Sequence, residues 1–231
     1  MTEQKLTRKE RITQAKRKKQ MQSIGIIILG LLIIVTGFVL IGISKPKLAE
    51  RPQFEYKMTD GNAIGNPNAP VVIEEFSSFM CSHCRDFSTG SLKPLIETYV
   101  YTGQVYLISR SFADPLGEAG IAAQAAYCAG EQGKFWEMKS TIFANFSNIG
   151  YSQKILSTMA DMLSLDAGAY KQCMSSATFV DMITADLNDG SAAGITGTPS
   201  FLINGELAIT GNKEFSFFQQ QIEAALAAAN N

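Results

Sequence analysis

The chain has 231 residues, room for one ordinary domain plus appendages. Its formal charge of −1 conceals an asymmetry, since residues 1–22 carry a net +6 and the remainder −7. A mildly acidic body without a basic face excludes nucleic acid as a partner, and four cysteines are too few to stand in for core packing.

Residues 1–22 form a basic N-terminus with Lys5, Arg8, Lys9, Arg11, Lys16, Arg17, Lys18 and Lys19 against Glu3 and Glu10. Twenty residues without a charge follow, Ile24 to Ile43, nearly all Ile, Leu, Val, Gly or Phe. A helix of that length rises about 30 Å, the hydrocarbon thickness of a bilayer. Residues 23–43 therefore read as a transmembrane anchor. The basic cluster holds its N-terminus in the cytoplasm, with everything after Ser44 outside. A cleaved signal peptide is the competing reading. Such cores run about 7–15 residues before a small-x-small site, and here Lys47 takes the first small position before Ala49. A compartment outside the cytosol is one where disulfides persist. Residues 44–69 read as a linker and turn-rich entry through Asp60-Gly61-Asn62 and Gly65-Asn66-Pro67-Asn68. The folded domain, 70–231, is expected to begin near Pro70.

An apolar, β-leaning run (Val71, Val72, Ile73, then Phe76 and Phe79) leads into Cys81-Ser82-His83-Cys84. A helical pattern follows from Arg85 to Tyr101, apolar at Phe87, Leu92, Leu95, Ile96 and Tyr99. With a helix starting near Cys81, a spacing of three puts both sulfurs on one face, about one turn apart. Unpaired backbone N–H groups and the positive end of the helix dipole converge on the first cysteine. They stabilise a thiolate, so Cys81 is the better nucleophile. His83 adds a donor, or a cation when protonated, that lowers the thiol pKa further. This arrangement points to thiol–disulfide redox chemistry. Half of a zinc site and a structural disulfide are the alternatives. Zinc takes four N or S ligands, and His83 is the only histidine in the chain.

Gln104 to Phe112 reads as a second strand, giving the strand–helix–strand order of a parallel βαβ unit. Helical segments then follow at Glu118–Gly130, Lys134–Phe146, Gln153–Leu163, Ala167–Ser176 and Phe179–Ala193, with turn signals between them. Phe135, Trp136, Phe143 and Phe146 are expected in the core of this helical cap. Ser200–Ile203 and Glu206–Thr210 flank Asn204-Gly205, a strong hairpin signal, and a closing helix runs from about Lys213 to Ala228. Cys128 and Cys173 both lie in the helical region. As buried thiols they need no explanation, but in an oxidising compartment a structural Cys128–Cys173 disulfide is the expectation. Alternation puts Glu74 and Glu75 on opposite faces of the first strand. Glu75 is then either a buried carboxylate that relays a proton near the cysteines or a strand-end glutamate facing water. Thr198-Pro199 marks a turn or strand start before Ser200.

Four stretches taken together resemble the DsbA-family thiol–disulfide oxidoreductases of the thioredoxin superfamily, in membrane-anchored form. They are Gly65-Asn66-Pro67-Asn68-Ala69-Pro70-Val71, Glu75-Phe76-Ser77 leading to the Cys81–Cys84 motif, Gln132-Gly133-Lys134-Phe135-Trp136-Glu137, and Gly194-Ile195-Thr196-Gly197-Thr198-Pro199-Ser200-Phe201. Their order and spacing match over roughly Asp60 to Ile222. The resemblance implies an α/β fold, thioredoxin-like, with a helical subdomain inserted at about 113–193 and one N-terminal transmembrane helix ahead of it. It also implies a cis Pro199 beside the cysteines and a functional, buried acid at Glu75. A central histidine is typical of strongly oxidising members. Ser82 stands where proline is common, and Thr198 before the proline is also found in isomerase-type relatives.

The leading expectation is a dithiol oxidase of exported proteins, without a soluble cofactor or metal, reoxidised by a quinone-linked membrane partner of the DsbB or VKOR type. A disulfide isomerase or reductase is the alternative enzyme. A membrane-anchored chaperone or binding module with a structural CxxC is the non-enzymatic one.

Overall fold

A computed structural model describes residues 8–43, 48–50, 53–146 and 151–229, with side chains in the first helix given for 16–34 and 36. The chain forms two compact units, Met1–Pro46 and Lys47–Asn231. The first is a single helix, α1 (Arg8–Ile43). Among the described residues no helix is long and apolar enough to cross a membrane. Of the predicted basic segment and anchor, residues 1–7 and the side chains of residues 8–15, 35 and 37–43 lie outside the described set.

The second unit is built on a sheet of β1 (Thr59–Asp60), β2 (Ala63–Gly65), β3 (Val71–Ser77), β4 (Val105–Ser111), β5 (Ser200–Ile203) and β6 (Glu206–Thr210). Their spatial order is β1-β2-β4-β3-β5-β6, with β3 and β4 parallel and every other pair antiparallel. The sheet thus begins inside the stretch read as a turn-rich entry. Three residues are too few to display a period of two, yet Ala63 and Ile64 are buried in β2. Gly65, at φ +110°, brings that strand so close to β4 that a Cβ would stand 2.7 Å from the Val105 carbonyl oxygen.

Where one helix was expected from Arg85 to Tyr101, the chain breaks at Gly90. It gives α2 (Ser82–Thr89) and α3 (Leu92–Leu95), which passes into a π-helical turn, Ile96–Val100. Pro94 explains the break, because it has no N–H for the carbonyl four residues back and its ring crowds that carbonyl. Phe87 of α2 packs against Phe201 of β5 at 4.8 Å between ring centroids. It meets Phe218 of the C-terminal α9 (Phe215–Ala229) at 5.1 Å. This apolar contact holds α2 on the sheet.

Between β4 and β5 lie α4 (Glu118–Gly130), α5 (Phe135–Ala144), α6 (Gln153–Met162), α7 (Ala167–Ser176) and α8 (Val180–Ala192), the inserted helical subdomain. The Cys128–Cys173 disulfide joins α4 to α7 across a Cα–Cα distance of 5.8 Å. Arg110 of β4 fastens α8 to the sheet. Its guanidinium donates to Asp186 and to Glu74 of β3, each at 2.7 Å, and also pairs with Asp189. Trp136 Nε1 donates to the Ala63 carbonyl at 3.1 Å, tying α5 to β2.

Candidate active site

Cys81 caps α2 with extended backbone (φ −98°, ψ 119°), so the chain leaves the sheet and turns into the helix at the first cysteine. Cys81 is half-buried and Cys84, one turn on, is fully buried; both are free thiols. From the other side, the Thr198–Pro199 peptide is cis and enters β5 directly. The Cys81 thiol donates to the Thr198 carbonyl oxygen at 3.2 Å, and the Ser78 N–H reaches Cys84 Sγ at 3.5 Å. Two segments far apart in the chain thus frame one sulfur.

The two sulfurs differ strongly. Hydrogen bonding from the Cys84 thiol, then from Thr198 and the backbone N–H groups of Cys84 and His83, outweighs burial and brings the Cys81 pKa down to about 5. Burial, with Cys81 alongside, pushes Cys84 far up. Cys81 is the thiolate and Cys84 the protected thiol. The contribution of His83 differs from expectation. Its side chain is exposed, and what reaches Cys81 is its backbone N–H, as its position in the first turn of the helix dictates.

The Cys81 shift sets a pH dependence. Its folded pKa of about 5 lies below the ordinary 9.0, so thiolate stabilisation of the reduced state is complete above pH 9 and is lost as pH falls through 5. Equilibrium with glutathione is expected to move toward reduced protein by roughly tenfold per pH unit from pH 5 to about 8, where glutathione itself ionises. Below about pH 5 the dependence should vanish. Alkylation and mass shift across that range measure it.

Glu75 points inward and is fully buried, while Glu74 on the opposite face meets Arg110. Lys139 of α5, 1% exposed, donates to Glu75 Oε2 at 2.6 Å and to Ser109 Oγ of β4 at 2.7 Å. Sequence reasoning did not single out Lys139 or Ser109. The available signal was Lys139 standing at helical spacing from Phe135, Ile142 and Phe143, a lone charge on an apolar face. The two largest surface clefts, 460 and 540 Å³, line residues 53–56 and the β6–α9 edge and include neither cysteine.

Comparison with known proteins agrees with this geometry. The family model described as thioredoxin matches residues 57–224, more than two thirds of the chain. The "probable disulfide bond formation protein D" of Bacillus cereus is 24% identical over 217 residues, covering 91% of this chain and 99% of that protein. A Rickettsia conorii protein named as a protein-disulfide oxidoreductase is 26% identical over 176 residues, 74% of this chain. The chain spans only 62% of the length of that relative. The crystal structure of Wolbachia pipientis α-DsbA1 superposes with a TM-score of 0.62 at 25% identity, covering 75% of this chain and 94% of that one. With this match, a thioredoxin sheet and a helical insertion between β4 and β5, the chain belongs to the thioredoxin family and is DsbA-like.

Proposed function

We propose that the protein is a dithiol oxidase that introduces disulfides into exported proteins from the outer face of a membrane. The asymmetry between Cys81 and Cys84 beside Thr198–Pro199 carries this reading. A substrate thiolate attacks Cys81 Sγ of the oxidised pair. The new S–S bond forms there, the Cys81–Cys84 bond breaks, and Cys84 takes the electron pair and then a proton. A second substrate thiolate attacks the substrate sulfur and expels Cys81 as a thiolate. Two substrate thiols become a disulfide and the protein takes two electrons. A stabilised Cys81 thiolate favours this reduced form, which is the physical meaning of oxidising power. A membrane reoxidase of the quinone-linked DsbB or VKOR type would return the electrons.

The anchor belongs to the same proposal. Ile24–Ile43 is uncharged and lies within α1, where Ile26, Ile27, Leu29 and Ile33 are each more than 60% exposed. An apolar surface of that kind finds its partner in lipid. The basic residues ahead of it set a cytoplasmic N-terminus by the positive-inside rule, leaving the redox unit in the compartment where disulfides persist.

The test is the redox potential of the Cys81–Cys84 pair, read in glutathione buffers. A value well above the roughly −270 mV of thioredoxin supports the oxidase. A value at or below it hands the reading to a reductase or isomerase. A pair that exchanges with no thiol peptide leaves a binding module or chaperone.

A further inference from the structure

The buried face of the central strands carries a polar patch that the dithiol mechanism above does not use. Glu75 and Ser77, two residues apart on β3, share one face. Register sets Glu75 beside Ser109 and Ser77 beside Ser111 of β4. In a sheet whose same face otherwise buries Val71, Ile73, Val105 and Leu107, four polar positions in a block are costly unless they are used. The Ser77 hydroxyl is buried and lacks a well-aligned hydrogen bond, as does Glu75 Oε1. Ser77 lies at Cys84 Sγ on one side and lines a small cavity with Ser109 and Lys139 on the other. That cavity measures about 10 Å³, the room of one water.

We propose that Ser77 passes the proton between Cys84 and the Lys139–Ser109–Glu75 cluster, with one water in the cavity completing the path. The inference rests on the oxidase reading. When substrate thiolate attacks Cys81, the Cys81–Cys84 bond breaks and the electron pair goes to Cys84 Sγ. The Ser77 O–H gives its proton to that sulfur and recovers one through the water from the Ser109 hydroxyl, which Lys139 Nζ reprotonates. Solvent later recharges Lys139. One proton enters per turnover, because Cys81 leaves as a thiolate. The donor therefore comes from the inserted helical subdomain, on α5, although the sulfur it serves belongs to the thioredoxin half.

The experiment uses the full chain in detergent micelles. Oxidised protein is mixed with excess reduced dithiol peptide, in H2O and in D2O, and release of the Cys84 thiol is followed by stopped flow. Ser77→Ala is expected to slow that step about a hundredfold, the lower range of general acid–base contributions, and to change its solvent isotope effect. Ser77→Thr, which keeps the hydroxyl, should restore both, and the Cys81 thiolate titration should stay put in both variants. A proton inventory on the unaltered chain should be curved, since more than one proton moves. A Ser77→Ala variant with unchanged rate and isotope effect, or a linear inventory, overturns the relay while leaving the oxidase standing. An unaltered chain that does not exchange with the peptide overturns both.

Discussion

Replacing Cys84 by alanine is expected to carry the Cys81 pKa from about 5 back toward the ordinary cysteine range. Hydrogen bonding from Cys84 is the largest of the influences that depress Cys81, ahead of Thr198 and the backbone N–H groups at the start of α2. Removing it leaves the weaker donors to hold the thiolate against burial, which opposes them. Each pKa unit regained costs a tenfold share of thiolate at pH values between the two values. Thiolate absorbance during an acid titration of the reduced protein measures the midpoint. A midpoint that stays near the unaltered value of about 5 would place the stabilisation on the helix terminus alone. Cys81→Ser is the companion experiment. It deletes the sulfur that substrates attack, and exchange with a thiol peptide should fall to background although Cys84 remains, because a buried thiol of raised pKa supplies almost no thiolate.

Lys139→Met should destabilise the protein by about 3–5 kcal/mol, the cost of leaving the Glu75 charge buried without its partner. Glu75 is 0% exposed and Lys139 1%, so water cannot replace the lost ammonium. The double variant Glu75→Leu with Lys139→Met should recover most of that loss, since a buried ion pair exchanged for apolar residues of similar volume is near neutral. Urea midpoints of the unaltered protein, both single variants and the double variant close the cycle, and a loss of this size corresponds to a shift of about 2 M in a domain of this class. Equal destabilisation in the single and double variants would mean that the lysine acts through packing of its stem over Trp136 and not through charge. The double variant also separates stability from chemistry, for it restores the core while removing the proposed proton donor.

How much of this was legible in the chain follows from the range of the forces involved. Helices α4 and α7 and both strands of the β5–β6 hairpin occur at the residues where local pattern put them. Their signals are apolar spacing, Asp166 as an N-cap accepting from the Ala169 N–H at 2.7 Å, and Asn204-Gly205 with positive φ at both turn positions. The Cys81–Cys84 motif was legible for the same reason. Three-residue spacing at a helix start is a local property, and the thiolate it stabilises follows from N–H groups within the same turn. The break at Gly90 was readable from Pro94 but was masked by the apolar period running through it.

The chain alone left Glu75 between two faces, and the structure turned it inward because β3 is paired on both edges and covered by α5. Lys139, Ser109 and Ser77 acquire meaning only there. Their juxtaposition depends on β3–β4 register and on a helix that comes well after β3 in the chain packing back over it. The short β1 and β2 likewise became strands only when β4 offered an edge. What the sequence determined by itself is the set of elements and the reactive pair, both governed by contacts within a few residues. What the tertiary structure decided is the electrostatic environment of that pair, because desolvation and the partners of buried charges are set by chain segments that meet only on folding.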